Sequence, residues 1–306
     1  MPLIELLAAS PALFIGVCLV LGLLVGSFLN VVIYRVPLML ERQWREQCAE
    51  LADSGGSVPA AQVHVKPVER FNLFVPRSAC PACKAPIRAL QNVPVVSYLF
   101  LKGRCAACGV AIPKRYPFIE ALAGVMSAAV AWKLGFGWPA VAGLILTWYL
   151  VALTFIDVDQ QLLPDNMTLP LVWLGVFASL WVPVDSTAVI PVDTRTSIIG
   201  AISGYVSLWL VFHLFRLITG KEGMGYGDFK LFAALGAWLG WQMLLPLIVI
   251  AAAVGAVTGI VILSMQKRGR STPIAFGPFL AAAGWLMLMF GQELLQRYLG
   301  LFAPHP

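Results

Sequence analysis

Asp228 is the residue in this sequence that most needs a chemical explanation. It sits in Gly225-Tyr226-Gly227-Asp228-Phe229-Lys230, between apolar runs at 197–218 and 231–241. A carboxylate at or just inside a membrane boundary is costly, and by default it marks a functional site. Gly225 and Gly227 leave bare backbone on either side of Tyr226, which permits φ > 0 or the close approach of another chain to Asp228. Capping of the following helix by Asp228 is the plainer alternative. A second group of carboxylates, Asp157, Asp159 and Asp165, lies in the stretch FIDVDQQLLPDN at 155–166. Asp165 follows Pro164 and, with Asn166, precedes an apolar run, the pattern of a helix cap. Asp157 instead closes an apolar run, where the carbonyl end of a helix disfavours an anion, so capping does not explain it. That makes Asp157 the natural partner of Asp228. Two carboxylates that share one proton can activate a water and protonate a leaving amine, the acid–base chemistry of peptide-bond hydrolysis.

A second constellation is built from sulfur. Cys80-Pro81-Ala82-Cys83 and Cys105-Ala106-Ala107-Cys108 are two C-x-x-C pairs with 21 residues between them. Four thiolates at this spacing can hold a structural zinc in a tetrahedral set. A pair of disulfides is the alternative, which a reducing cytosol disfavours. The metal would close a segment too small to hold itself by a hydrophobic core. Cys18 and Cys48 fall outside the set and are read as packing residues, as is the lone His213. Glu120, early in the apolar run that follows Arg115-Tyr116-Pro117, lies where a helix dipole tolerates an anion; it is either an interfacial residue or part of a polar site.

The elements that must position these groups follow from composition. With 59% hydrophobic residues, 12% charged residues and a mean hydropathy of +0.84, the chain reads as an all-α polytopic membrane protein. Spanning runs are expected at about 11–34, 116–134, 138–156, 167–184, 197–218, 243–265 and 274–296, with a shorter helix at 229–241, or about eight membrane helices. The first run is expected to stay as a span rather than be cleaved, because residues 1–10 hold Glu5 and no Lys or Arg. With the N-terminus outside, 18 of the 21 Lys and Arg fall in the inner segments 35–115, 216–230 and 266–272, as the positive-inside pattern requires. The charge of +6 is then a topology signal and an attraction for anionic membrane lipid, with no basic run suited to nucleic acid. The expected division is a first membrane helix at 1–36, a cytoplasmic zinc-binding segment at 37–115 and a membrane core at 116–306. The segment at 41–62 reads as a charged amphipathic surface helix ending in a turn region.

Taken together, Asp157 followed by Leu163-Pro164-Asp165 and the later G-x-G-D-x-K at 225–230 resemble the type IV prepilin leader peptidases, GxGD intramembrane aspartyl proteases. The stretches GSFLNVVIYRVP at 26–37, KGRC at 102–105, RYPFIE at 115–120 and FGPFLA at 276–281 extend the resemblance over nearly the whole chain. Ala275 stands where proline is expected before Phe276. The resemblance implies a bifunctional enzyme of the bacterial inner membrane, acting on type IV prepilins and type II secretion pseudopilins. It would cut after a glycine to remove a short basic leader, then N-methylate the new terminus with S-adenosylmethionine. Asp157 and Asp228 would be the catalytic pair at the cytoplasmic side, with Gly225, Gly227, Lys230, Asp165 and Glu120 in support of substrate approach. Zn2+ would bind Cys80, Cys83, Cys105 and Cys108. No Gly-rich element marks a binding site for S-adenosylmethionine. A proton-coupled transporter and a zinc-bearing pilus-assembly scaffold are the alternatives; the first would call for a repeated carboxylate pattern, which is not visible.

Overall fold

The computed structural model describes residues 3–54, 71–181, 192–221, 223–265 and 275–300. Among these the helices, in chain order, are α1 (Leu3–Ala9), α2 (Pro11–Ser54), α3 (Val96–Phe100), α4 (Arg115–Leu134), α5 (Trp138–Gln160), α6 (Asp165–Ser179), α7 (Thr194–Thr219), α8 (Tyr226–Leu239), α9 (Leu244–Met265) and α10 (Gly277–Gly300). The described residues hold no strand, only two isolated bridges, Ala79 to Pro86 and Arg104 to Ala111. Each of the eight apolar runs carries a helix among the described residues, because a segment in lipid must satisfy its own backbone N–H and C=O groups. Among the described residues, five helices are long and apolar enough to cross a membrane: Pro11–Leu51, Arg115–Leu134, Trp138–Gln160, Thr194–Thr219 and Trp241–Val261. α6 and α8, of 15 and 14 residues, fall short of the roughly 20 that a span needs.

The charged helix expected near 41 is not a separate element. α2 passes through Pro37 and continues to Ser54 as one helix of 44 residues. The stretch after Pro37, Leu38-Met39-Leu40-Glu41-Arg42-Gln43, is made of strong helix formers with no glycine to stop it. Residues 55–62 and the basic loop at 266–272 lie outside the described residues.

The chain divides into two compact units, 22–124, and 1–21 with 125–306. Within the first, Gly26 lets α2 touch α4 backbone to backbone, since a Cβ there would stand 2.8 Å from the Cα of Glu120 and 3.0 Å from Ala123 Cβ. Asn30 Nδ2 donates to the carbonyl of Tyr116 at 3.2 Å. The buried Arg35 donates to the carbonyls of Asn72 (2.8 Å) and Pro76 (2.6 Å), with its guanidinium over the Phe71 ring. The motif at 26–37 is therefore a structural one, fixing where the cysteine-bearing segment begins.

The second unit is built around α8. From Asp228 to Gly240 every residue except Lys230 is buried, as expected of a helix that is apolar on all sides. On α7, Gly200 faces Gly236 of α8 so closely that a Cβ on either would overlap the other's carbonyl oxygen, and a Cβ at Gly204 would stand 2.8 Å from the Phe232 oxygen. This is the small-residue contact by which membrane helices bring their backbones together. Ser197 Oγ donates across it to the Ala237 carbonyl at 2.7 Å. On α6, Gly175 receives the Trp238 ring, whose Nε1 donates to the Leu171 carbonyl at 2.8 Å. On α10, Gly284 receives Leu235. Held on three sides, α8 delivers Asp228 to a fixed place. Gly200→Leu is expected to destabilise the protein by more than about 3 kcal/mol, because neither backbone has room to yield. A thermal midpoint in detergent equal to that of the parent would contradict this packing.

Candidate active site and metal-binding cluster

Asp228 is the third residue of α8, whose N-cap is Gly225 (φ −81°, ψ 149°). Its backbone N–H donates to the Gly225 carbonyl at 3.2 Å, and its carboxylate faces the Gly225 N–H. This is the half of a capping box that an acid at the third position supplies, so the capping role holds alongside any chemistry. Asp157 lies in the last turn of α5, its carbonyl accepting from Gln161 at 2.8 Å. Its carboxylate meets the start of α10: the Gly277 N–H is directed at it, and a Cβ on Gly277 would stand 2.5 Å from Oδ2. The anion that is out of place at the end of α5 is thus matched by the positive end of α10. Both carboxyl groups are buried, Asp157 at 5% exposure and Asp228 at 7%. They are close enough for the charge of one to act on the other. Asp157 Oδ2 is fully buried and accepts no hydrogen bond of good geometry among the described residues, which leaves an acceptor for a proton or a water.

Leu163 joins the two glycine positions. A Cβ on Gly227 would stand 2.7 Å from Leu163 Cβ, and one on Gly277 would stand 3.2 Å from Leu163 Cδ1. At Gly227 the close neighbour on the Cβ side is thus the protein's own Leu163. Gly225 remains open, its nearest neighbour being Asp228 Oδ2 at 3.8 Å. The capping role expected of Asp165 is corrected. Pro164 is the N-cap of α6, without a side-chain capping bond, and Asp165 instead pairs with Lys230 Nζ at 2.5 Å. That pair ties the start of α6 to α8. With the Asp165 side chain 59% exposed, the pair is worth no more than about 1 kcal/mol. Lys230→Met should therefore reduce substrate cleavage by less than about tenfold, and a loss beyond about a hundredfold in kcat would place Lys230 on the reacting atoms.

Glu120 belongs to the unit of residues 22–124. It is buried, accepts from the Val95 N–H at 2.7 Å and from the Ser27 hydroxyl, and holds Val95 at a positive φ of 59°. His213 packs between Trp209 and Phe212, with Nδ1 2.9 Å from the Trp209 carbonyl. Cys18 is buried, but Cys48 is exposed, because it lies on the charged, exposed part of α2. Leu163 lies in the Leu-Pro-Asp motif and Gly277 in FGPFLA, but the contacts they make at the site are not legible from those motifs. The segment at 276–281 was visible, but what Gly277 contributes is a backbone N–H and the absence of a side chain.

The four cysteines come together as free thiols, every Sγ within 4.8 Å of the others and Cys80 3.9 Å from Cys108. Zn–S bonds of about 2.3 Å in a tetrahedron place the sulfurs about 3.8 Å apart, whereas a disulfide needs about 2.05 Å. Two copies of one turn build the cluster. Cys80 donates to Ala85 (3.0 Å) and accepts from Lys84 (2.9 Å), as Cys105 donates to Val110 (2.8 Å) and accepts from Gly109 (2.9 Å). Lys84 (φ 59°) and Gly109 (φ 72°) occupy the same left-handed position. The N–H groups of Cys83 and Ala82 hold the Cys80 thiol down to about 6, and those of Cys108 and Ala107 lower Cys105. Although the Val110 N–H acts to lower it, burial and the Cys83, Cys105 and Cys80 thiols push Cys108 up to about 11. Crowded thiols of this kind would lose their protons to solvent as their sulfurs bind a divalent metal, and the set fits zinc.

Residues 20–134 match the bacterial peptidase A24 N-terminal domain, and residues 144–260 match the type IV leader peptidase family. A prepilin leader peptidase/N-methyltransferase of Stutzerimonas stutzeri is 49% identical over 303 residues, covering 97% of each chain. One from Pseudomonas aeruginosa is 47% identical with 98% of each chain covered, and one from Neisseria gonorrhoeae is 47% identical with 94% of each covered. No solved structure matches the chain.

Proposed function

Because this chain belongs to the type IV leader peptidase family, we propose that it removes the leaders of prepilins and pseudopilins by hydrolysis at Asp157 and Asp228, then N-methylates the new terminus. The observation that carries the reading is the pair of buried carboxylates set on separate helices, each facing a backbone N–H at the start of a helix. One carboxylate takes a proton from the attacking water while the other, protonated, gives its proton to the leaving amine. Their burial excludes bulk water and strengthens both transfers. The open backbone at Gly225 is where an extended substrate can reach the pair. The substrate's apolar segment would lie in the bilayer with its leader in the cytoplasm, the enzyme being an inner-membrane protein with its N-terminus outside. Residues 116–306 form the peptidase core in this reading, and residues 37–115 the metal-bearing segment.

Zn2+ held by Cys80, Cys83, Cys105 and Cys108 would staple the two turns at 78–87 and 103–112. S-adenosylmethionine would supply the methyl group, with no residue assigned to it. Cys80→Ser with Cys83→Ser should lower bound zinc at least about tenfold and impair methylation more than cleavage; metal analysis together with mass spectrometry of the product reads both. Full zinc content in that variant would remove the cluster from the account. Mass spectrometry of a prepilin incubated with the purified protein and S-adenosylmethionine tests the function. A cut after glycine with a methylated new terminus is expected, and an uncut substrate would overturn the reading.

A further inference from the structure

We propose that the unit of residues 22–124 carries a binding site for the phosphate headgroup of an anionic phospholipid, in a cleft between the turn at 102–104 and the segment at 111–114 leading into α4. The cleft has a volume of about 400 Å³, within the roughly 300–1,000 Å³ of small-molecule sites. Lys102, Arg104 and Lys114 line it, together with Tyr98, and no acidic residue does. Among the described residues none of the three cations has a carboxylate partner. Three cations lining one cleft without a counter-charge make a site for an anion, and a guanidinium with two ammoniums suits the oxygens of a phosphodiester. The turn that gathers them is built for its shape. Lys102 (φ 50°) and Gly103 (φ 68°) are consecutive left-handed residues, and the Tyr98 hydroxyl lies 2.9 Å from where a Cβ on Gly103 would stand.

Two further observations select a lipid as the source of that phosphate. Lys114 immediately precedes α4, a helix long and apolar enough to span, which sets the cleft at the membrane surface. Just before Lys102, α3 exposes Leu99 (68%) and Phe100 (83%). Large apolar side chains beside cations are the pattern of a segment seated in the headgroup region. A zwitterionic lipid is disfavoured, because its quaternary ammonium would meet the same three cations.

The test uses the full-length protein in detergent, with native mass spectrometry of retained lipid. Phosphatidylglycerol, phosphatidylcholine and inorganic phosphate are the probes. Phosphatidylglycerol is expected to be retained over phosphatidylcholine. Lys102→Gln, Arg104→Gln and Lys114→Gln combined should weaken that retention on the order of a hundredfold, about fivefold for each charge. Removal of the same charge elsewhere, with Arg45→Gln, Arg77→Gln and Lys221→Gln, should leave it within about twofold. The charge-conserving pair Lys102→Arg with Lys114→Arg should also retain the lipid, so a general loss of fold is distinguished from loss of the site. Equal retention of both lipids would overturn the proposal, as would unchanged retention in the first triple variant, equal loss in the second, or loss in the charge-conserving pair. Inorganic phosphate binding as tightly as phosphatidylglycerol would overturn the assignment to a lipid.

Discussion

Asparagine at either Asp157 or Asp228 is expected to reduce cleavage of a prepilin by at least about a thousandfold while the protein remains folded. The amide nearly preserves the shape of the carboxyl group, so the packing around α8 and at the start of α10 should survive. It cannot take or give the proton, and acid–base groups of this kind contribute 10²–10⁴-fold. Groups that act as a unit lose nearly the whole effect when one is removed. Asp159, although a carboxylate two residues from Asp157, is exposed, and Asp159→Asn should keep most of the activity. Equal thermal midpoints for the variants and the parent separate loss of chemistry from loss of fold. Near-parental cleavage by the Asp157 or the Asp228 variant would refute the pair.

A single methyl group at position 277 is expected to have nearly as large an effect. In Gly277→Ala the new Cβ would stand 2.5 Å from Asp157 Oδ2, well inside contact distance, so either the carboxylate rotates or the start of α10 moves. A displacement on the order of 1 Å at a reacting group costs about a hundredfold in rate. The loss should appear in kcat, with KM little changed, because Gly277 touches Asp157, the proposed reacting group, rather than the substrate. Gly225→Ala is the contrast: its Cβ meets nothing nearer than 3.8 Å, so only a substrate that passes close by would feel it, as a rise in KM. If Gly277→Ala turns over at the parental rate, the contact between α10 and Asp157 has no part in catalysis.

The helices and the buried carboxylates Asp157 and Asp228 were legible in the sequence because both are signals of solvent. Apolar runs of spanning length must become helices, and Asp157 and Asp228 stand out as charges where charge is costly. The cysteine cluster was legible from spacing alone. What the sequence did not show is how these parts meet. Gly200 and Gly236 have no pattern that pairs them, and their contact depends on the crossing of α7 and α8. The electrostatic difficulty at Asp157 was visible, but its solution, the N-terminus of α10, is a long-range contact made by backbone. Gly227 is a related case: a glycine signals close approach without saying to what, and here a neighbour is Leu163. Asp165 had the sequence position of a cap, but its ion pair with Lys230 is set by how α6 and α8 come together.

The most direct test of the central claim, that Asp157 and Asp228 work as one unit, is the cleavage rate of the Asp157→Asn, Asp228→Asn double variant. It is best read with enzyme in excess over prepilin, so that slow residual rates can be followed. If the two carboxylates share one proton-transfer cycle, the double variant should be no slower than either single variant, because the first substitution already stops the cycle. A rate reduced by the product of the two single losses would show that the residues act independently, and would contradict the dyad.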